Sequence, residues 1–141
     1  MFKLFQASPE SCIAGLFSCS FNAFARIFVR RNGLDTVGEF RVLSDPSGMT
    51  GGRFGAHQPH EHVGKDNLVY AAWFSGGLRV IDISNPYLPW EAGHYIPKPG
   101  QGERWAQSND VFVDDRGLIY LIDRIQGLDI LRFTGKQETV R

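Results

Sequence analysis

The chain has 141 residues, 43% hydrophobic and 13% aromatic, with 15 Lys plus Arg balanced by 15 Asp plus Glu. Such apolar content at zero formal charge argues against a disordered chain, and no run of about 18 uncharged apolar residues exists to span a bilayer. Nor is there a basic excess to release counterions from nucleic acid, so one soluble globular unit with no nucleic-acid partner is expected.

Six of the eleven Phe fall within the first 28 residues, and Ser11 to Leu34 contains no acid but three Arg (Arg26, Arg30, Arg31). Phe17, Phe21, Phe24 and Phe28 recur at spacings of 4, 3 and 4, which places four rings on one helical face. Residues 1–33 therefore read as a Phe-rich extension, helical or disordered. The segment is either a basic amphipathic membrane-surface or targeting element, or a helix packing its phenyl stripe on a neighbour. A secretory signal is disfavoured, because the positive charges follow the apolar run instead of preceding it. Cys12 and Cys19 lie in this segment, and a helix would hold them about 10 Å apart, too far for a disulfide.

Next in the chain, Gly51-Gly-Arg-Phe-Gly-Ala-His-Gln-Pro-His-Glu-His62 gathers three imidazoles and a carboxylate within six residues. Beyond it the sequence repeats. With a shift of 50 and no gap, Asn67–Ile83 faces Gly117–Phe133: Leu68 meets Leu118, Tyr70 meets Tyr120, Gly77 meets Gly127 and Leu78 meets Leu128. Each copy predicts strand, turn, strand, over 69–73 and 78–83 and again over 119–123 and 128–133. Gly77 and Gly127 are expected at positive φ in the connecting turns. Asn85, Pro86 and Pro89 interrupt the chain before an extended run over 92–96, and a further strand is predicted over 110–114, closed by the turn Asp115-Arg116-Gly117. Three or four antiparallel strands per 50-residue repeat is the layout of a propeller blade. The expected fold is all-β, a partial β-propeller of about two blades over residues 34–135, with a tail at 136–141.

The segments Leu78-Arg-Val-Ile-Asp-Ile-Ser-Asn-Pro-Tyr-Leu-Pro89, Asn109-Asp-Val-Phe-Val113 and Gly127-Leu-Asp-Ile-Leu131 resemble the LVIVD-repeat proteins, a β-propeller group distantly similar to the selenium-binding proteins. The resemblance runs from about Leu34 to Gly135 and implies the C-terminal portion of a longer propeller. A closed propeller holds 4 to 8 blades. Two blades would leave apolar faces uncovered, so other chains or self-association are the expected partners.

His57, His60 and His62 are the metal-ligand candidates. If residues 60–63 are extended, His60 and His62 share a face, and imidazole nitrogen suits copper or zinc. The resemblance to selenium-binding proteins implies propeller histidines on a metal. Against this stands a reading of His57 and His60 as loop residues bonding backbone. Under the shift of 50, His60 and His62 fall opposite Asp110 and Phe112. Arg53, Glu61, Asn109 and Asp110 are the binding candidates. Asp110, Asp114, Asp115 and Asp123 read as turn and strand-edge residues, and Trp73, Trp90 and Trp105 as blade packing. The pattern is not His-Glu-x-x-His, and neither a nucleophile elbow nor a phosphate loop is present. The expected function is a non-catalytic binding module; the alternative is a metal-dependent enzyme of selenium-binding-protein type acting on a small molecule.

Overall fold

The computed structural model describes residues 15–18, 24–30 and 34–41 as backbone, and residues 52–63 and 66–135 with their side chains. Every regular element among them is a strand: β1 (Gly15–Ser18), β2 (Phe24–Arg30), β3 (Leu34–Arg41), β4 (Phe54–Pro59), β5 (Leu68–Phe74), β6 (Leu78–Asp82), β7 (Trp90–Tyr95), β8 (Ser108–Val113), β9 (Leu118–Asp123) and β10 (Gly127–Arg132). No described segment forms a helix long and apolar enough to cross a membrane.

Strands β1, β2 and β3 form an antiparallel meander. Among the described residues the Phe stripe lies in strands, in place of the helix expected as one alternative: Phe17 lies in β1, and Phe24 and Phe28 lie in β2. In Phe24-Ala-Arg-Ile-Phe-Val-Arg30 the aromatic and β-branched residues favour extended backbone, and β1 and β3 supply partners for its amides on both edges. Phe21, Cys12 and Cys19 lie outside the described residues. The boundary expected between residues 33 and 34 falls between two paired strands, since β2 meets β3 from Phe24–Arg41 to Arg30–Leu34.

The second sheet contains two meanders, β4-β5-β6-β7 and β8-β9-β10, joined where Phe74 of β5 pairs with Ser108 of β8. They are two neighbouring blades of a partial β-propeller, with β4 and β8 as adjacent innermost strands. Packing explains why β5 is apolar almost throughout: both of its faces are covered. Val69, Ala71 and Trp73 join Phe54, Ala56, Ile81 and Ile83 in one cluster. Leu68 and Ala72 join Leu78, Val80 and Ala92 in another, which packs on Val111, Ile119 and Leu121 of the second blade. The Trp73 indole is fully buried in the first cluster, whereas Trp90 is 37% exposed, so blade packing accounts for the first Trp and not for the second.

Both repeat glycines adopt the expected conformation, with φ of 71° at Gly77 and 103° at Gly127. The repeat is not uniform, however. The ladder sets Gln58 opposite Ala72 and Asp110 opposite Ile122. Ala72 and Ile122 are 50 residues apart, but Gln58 and Asp110 are 52 apart, because the chain from Gln58 to its partner Ala72 is two residues longer than that from Asp110 to its partner Ile122. The inner strands therefore correspond differently from the shift-of-50 alignment: His60, whose N–H bonds Tyr70 O, stands where Phe112, opposite Tyr120, stands in the second blade.

Candidate functional site

The inner strands bring the histidine cluster against the second blade. His57, near the middle of β4, donates Nδ1–H to Asn109 O of β8 at 2.6 Å. A carbonyl oxygen only accepts, so the bond fixes the tautomer and leaves the His57 Nε2 lone pair unprotonated in the neutral ring. At His60 the roles reverse. Its Nδ1 accepts Val113 N–H at 3.3 Å, so the neutral ring carries its proton on Nε2 and offers no second lone pair. Its ring meets Phe112 edge-on at 5.5 Å and His62 at 5.8 Å. Burial lowers the His60 pKa below 6.5, the nearby His62 lowers it further, and Glu61 acts in the opposite sense. Among the described residues, no three His, Cys, Asp or Glu side chains converge as a metal-holding group. His57, read from sequence as a loop residue, lies within β4, and both His57 and His60 bond backbone of β8 through Nδ1.

The binding candidates divide. Arg53 and Asn109 come together around Phe74. The Arg53 guanidinium carbon lies 4.0 Å from the centre of the Phe74 ring, and that of Arg124 lies 5.7 Å from it, with Arg124 Nε donating to Asn109 Oδ1 at 2.7 Å. The His57 ring packs on the same phenyl at 4.6 Å. Asp110 points the other way, on the exposed face of β8 that carries Phe112, and its Oδ1 accepts Val111 N–H. Glu61 is exposed beyond the end of β4, acting on His60 through its charge.

The turn aspartates hold backbone. Asp123 is 4% exposed, and its carboxylate accepts the N–H groups of Gln107, Ile125 and Gln126. Asp114 closes the β8–β9 turn. Burial would raise its pKa, but bonds from Leu118 N–H, the Arg116 guanidinium, the Tyr120 hydroxyl and Arg116 N–H hold it at about 2.

Two features went unread in the sequence. Phe74 and Arg124 face each other under the shift of 50, a break in the repeat that could have drawn notice. The other is a cleft of about 530 Å³ between the blades, floored by Leu78, Val80, Ile119, Leu131 and Phe133 and edged by Glu91, His94, Tyr95 and Arg132. At its edge Glu91 takes Arg79 Nη1 at 3.1 Å and His94 Nδ1 at 2.7 Å, while burial and then Asp129 raise the Tyr95 pKa. Only tertiary pairing of β6 with β7 joins Arg79 to Glu91, and no local motif announces it.

Residues 65–96, which cover β5, β6 and β7, match the family model of the LVIVD repeat. No match is found among curated proteins or among solved structures. The matched span ends with β7, and the second meander repeats its β5 and β6 pattern in β9 and β10. Residues 65–96 thus carry an LVIVD repeat, within two meanders laid out as part of a β-propeller.

Proposed function

We propose that the chain is a non-catalytic interaction module that takes a further β-sheet, from a second copy or from another protein chain, on the outer face of its second blade. One observation carries this reading. Phe112, Ile122, Leu128 and Ile130 are 45 to 58% exposed on that face. Ile122, Leu128 and Ile130 are the repeat counterparts of Ala72, Leu78 and Val80, the residues through which the first blade buries itself on the second. The same surface is therefore used once inside the chain and left open once. Exposed contiguous apolar patches of this kind mark interaction sites.

Sedimentation velocity on the full chain tests the proposal. The wild type is expected to associate with rising concentration up to about 100 μM, within the range where open sheet surface associates. A Leu128→Arg, Ile130→Glu variant is expected to remain monomeric with an unchanged far-ultraviolet circular dichroism spectrum. A wild type that stays monomeric throughout and binds no hydrophobic dye would refute it.

A further inference from the structure

Phe74 ends β5 with φ of 45°, in the left-handed region that bulky residues rarely occupy. Outliers of this kind concentrate at ligand clamps and switch regions. Three segments send cationic or protonatable groups to the Phe74 ring: Arg53 from just before β4, His57 from β4, and Arg124 from the β9–β10 turn. Arg53 and Arg124 are both exposed residues, whereas the Phe74 ring beside them is buried.

Neither guanidinium meets a carboxylate among the described residues, where the ion pairs are Arg79–Glu91, His94–Glu91 and Arg116–Asp114. The nearest acid in sequence, Asp123, spends its oxygens on three backbone N–H groups. Arg124 is oriented by its Nε bond to Asn109 Oδ1, and His57 is held by the carbonyl of the same Asn109, so two of the three groups are fixed by one residue of β8. Stacking on an aromatic face leaves the guanidinium edge, with its remaining N–H donors, directed outward. Two like charges beside one ring repel, and an anion between them turns that repulsion into two attractions. Paired N–H donors match the oxygens of a tetrahedral oxyanion in bidentate fashion.

From this geometry we infer that Arg53 and Arg124, set on Phe74 with His57 beside them, form a binding site for a doubly charged oxyanion of the phosphate-ester class. The site lies at the inner strands, away from the outer face of the second blade, and is independent of the interaction proposed above. A monomeric chain that binds phosphate leaves the inference standing, and an associating chain that does not bind it removes the inference alone.

The test is titration of the full chain with inorganic phosphate at fixed ionic strength, followed by calorimetry. Saturable binding is expected, at least about 10-fold tighter than that of acetate, because acetate brings one charge to two guanidinium groups. Arg53→Ala and Arg124→Ala should each weaken phosphate binding by at least about 10-fold, the scale of losing one charge-assisted fork. Phe74→Leu keeps both charges but removes the ring on which they stack, and should weaken binding too. Exposed Lys98, on the loop after β7, is the control, and Lys98→Ala should leave affinity unchanged. No saturation by about 50 mM phosphate, well below any useful bidentate affinity, overturns the inference, as does acetate binding equally well or Lys98→Ala weakening binding as much as the Arg variants.

Discussion

Replacing Gly77 and Gly127 by alanine, one at a time, separates what the repeat shares from what the two blades do not. Both glycines stand at positive φ, 71° and 103°, where an L side chain costs about 1–2 kcal/mol. Part of that is offset, by about 0.4–1 kcal/mol, because alanine also restricts the unfolded chain. At Gly127 nothing lies within 4 Å of the added Cβ, so the loss should stop at about 1 kcal/mol. At Gly77 the Cβ would sit 2.1 Å from Tyr95 O and 2.8 Å from Ile96 Cα. Both are backbone atoms at the end of β7, so no rotamer change relieves the clash and the strand itself must move. Overpacking of this kind adds about 1–3 kcal/mol, for a total of about 2–4.

Urea unfolding measures the difference. With a slope of about 2 kcal/mol per molar, the midpoint should fall by about 1–2 M for Gly77→Ala and by about 0.5 M for Gly127→Ala. Amide hydrogen exchange should quicken along β7 in the first variant and leave β7 unchanged in the second. Equal midpoints, or a greater loss at Gly127, would refute the reasoning, since conformational strain alone would then account for both positions.

Two further outcomes follow from the inner strands and the turns. Because burial, reinforced by His62, holds the His60 pKa below 6.5, the unfolded chain takes up a proton that the folded chain refuses. Stability should therefore rise with pH through the window that ends near 6.5 and be lost on acidification below it. His60→Phe, which copies Phe112 of the second blade, should flatten that dependence, and urea midpoints at pH 5 and 7 that differ as much as in the wild type would count against it. Asp123→Asn keeps the shape of the side chain but turns an amide group toward backbone N–H donors from Gln107, Ile125 and Gln126, with an expected loss of about 1–3 kcal/mol by thermal unfolding. An unchanged midpoint would show that the carboxylate is not what holds this turn.

The strands of the blades were legible because both their period and their turn chemistry are local. The alternation in Leu128 to Phe133, the glycines at 77 and 127 and the Asp115-Arg116-Gly117 turn each act within a few residues. The N-terminal Phe stripe misled for the opposite reason: a spacing of 4, 3 and 4 states which positions share a helical face, but β2 gains two strand partners that the spacing does not encode. The histidine cluster was found in the sequence, but which backbone groups of the second blade its members bond was not. Those bonds depend on a two-residue difference in hairpin length that a gapless alignment hides, and this difference moves His60 from the place of Asp110 to that of Phe112. A shared backbone position makes each exchange between the copies a change of chemistry at fixed geometry. Phe74 against Arg124 is the clearest case: the aromatic residue of one blade becomes the platform, and its counterpart in the next supplies a cation that lies over it. In a chain whose repeats mainly specify packing, departures from the repeat free a position for other work. Arg124 and His57 occupy such departures, and both meet at Phe74.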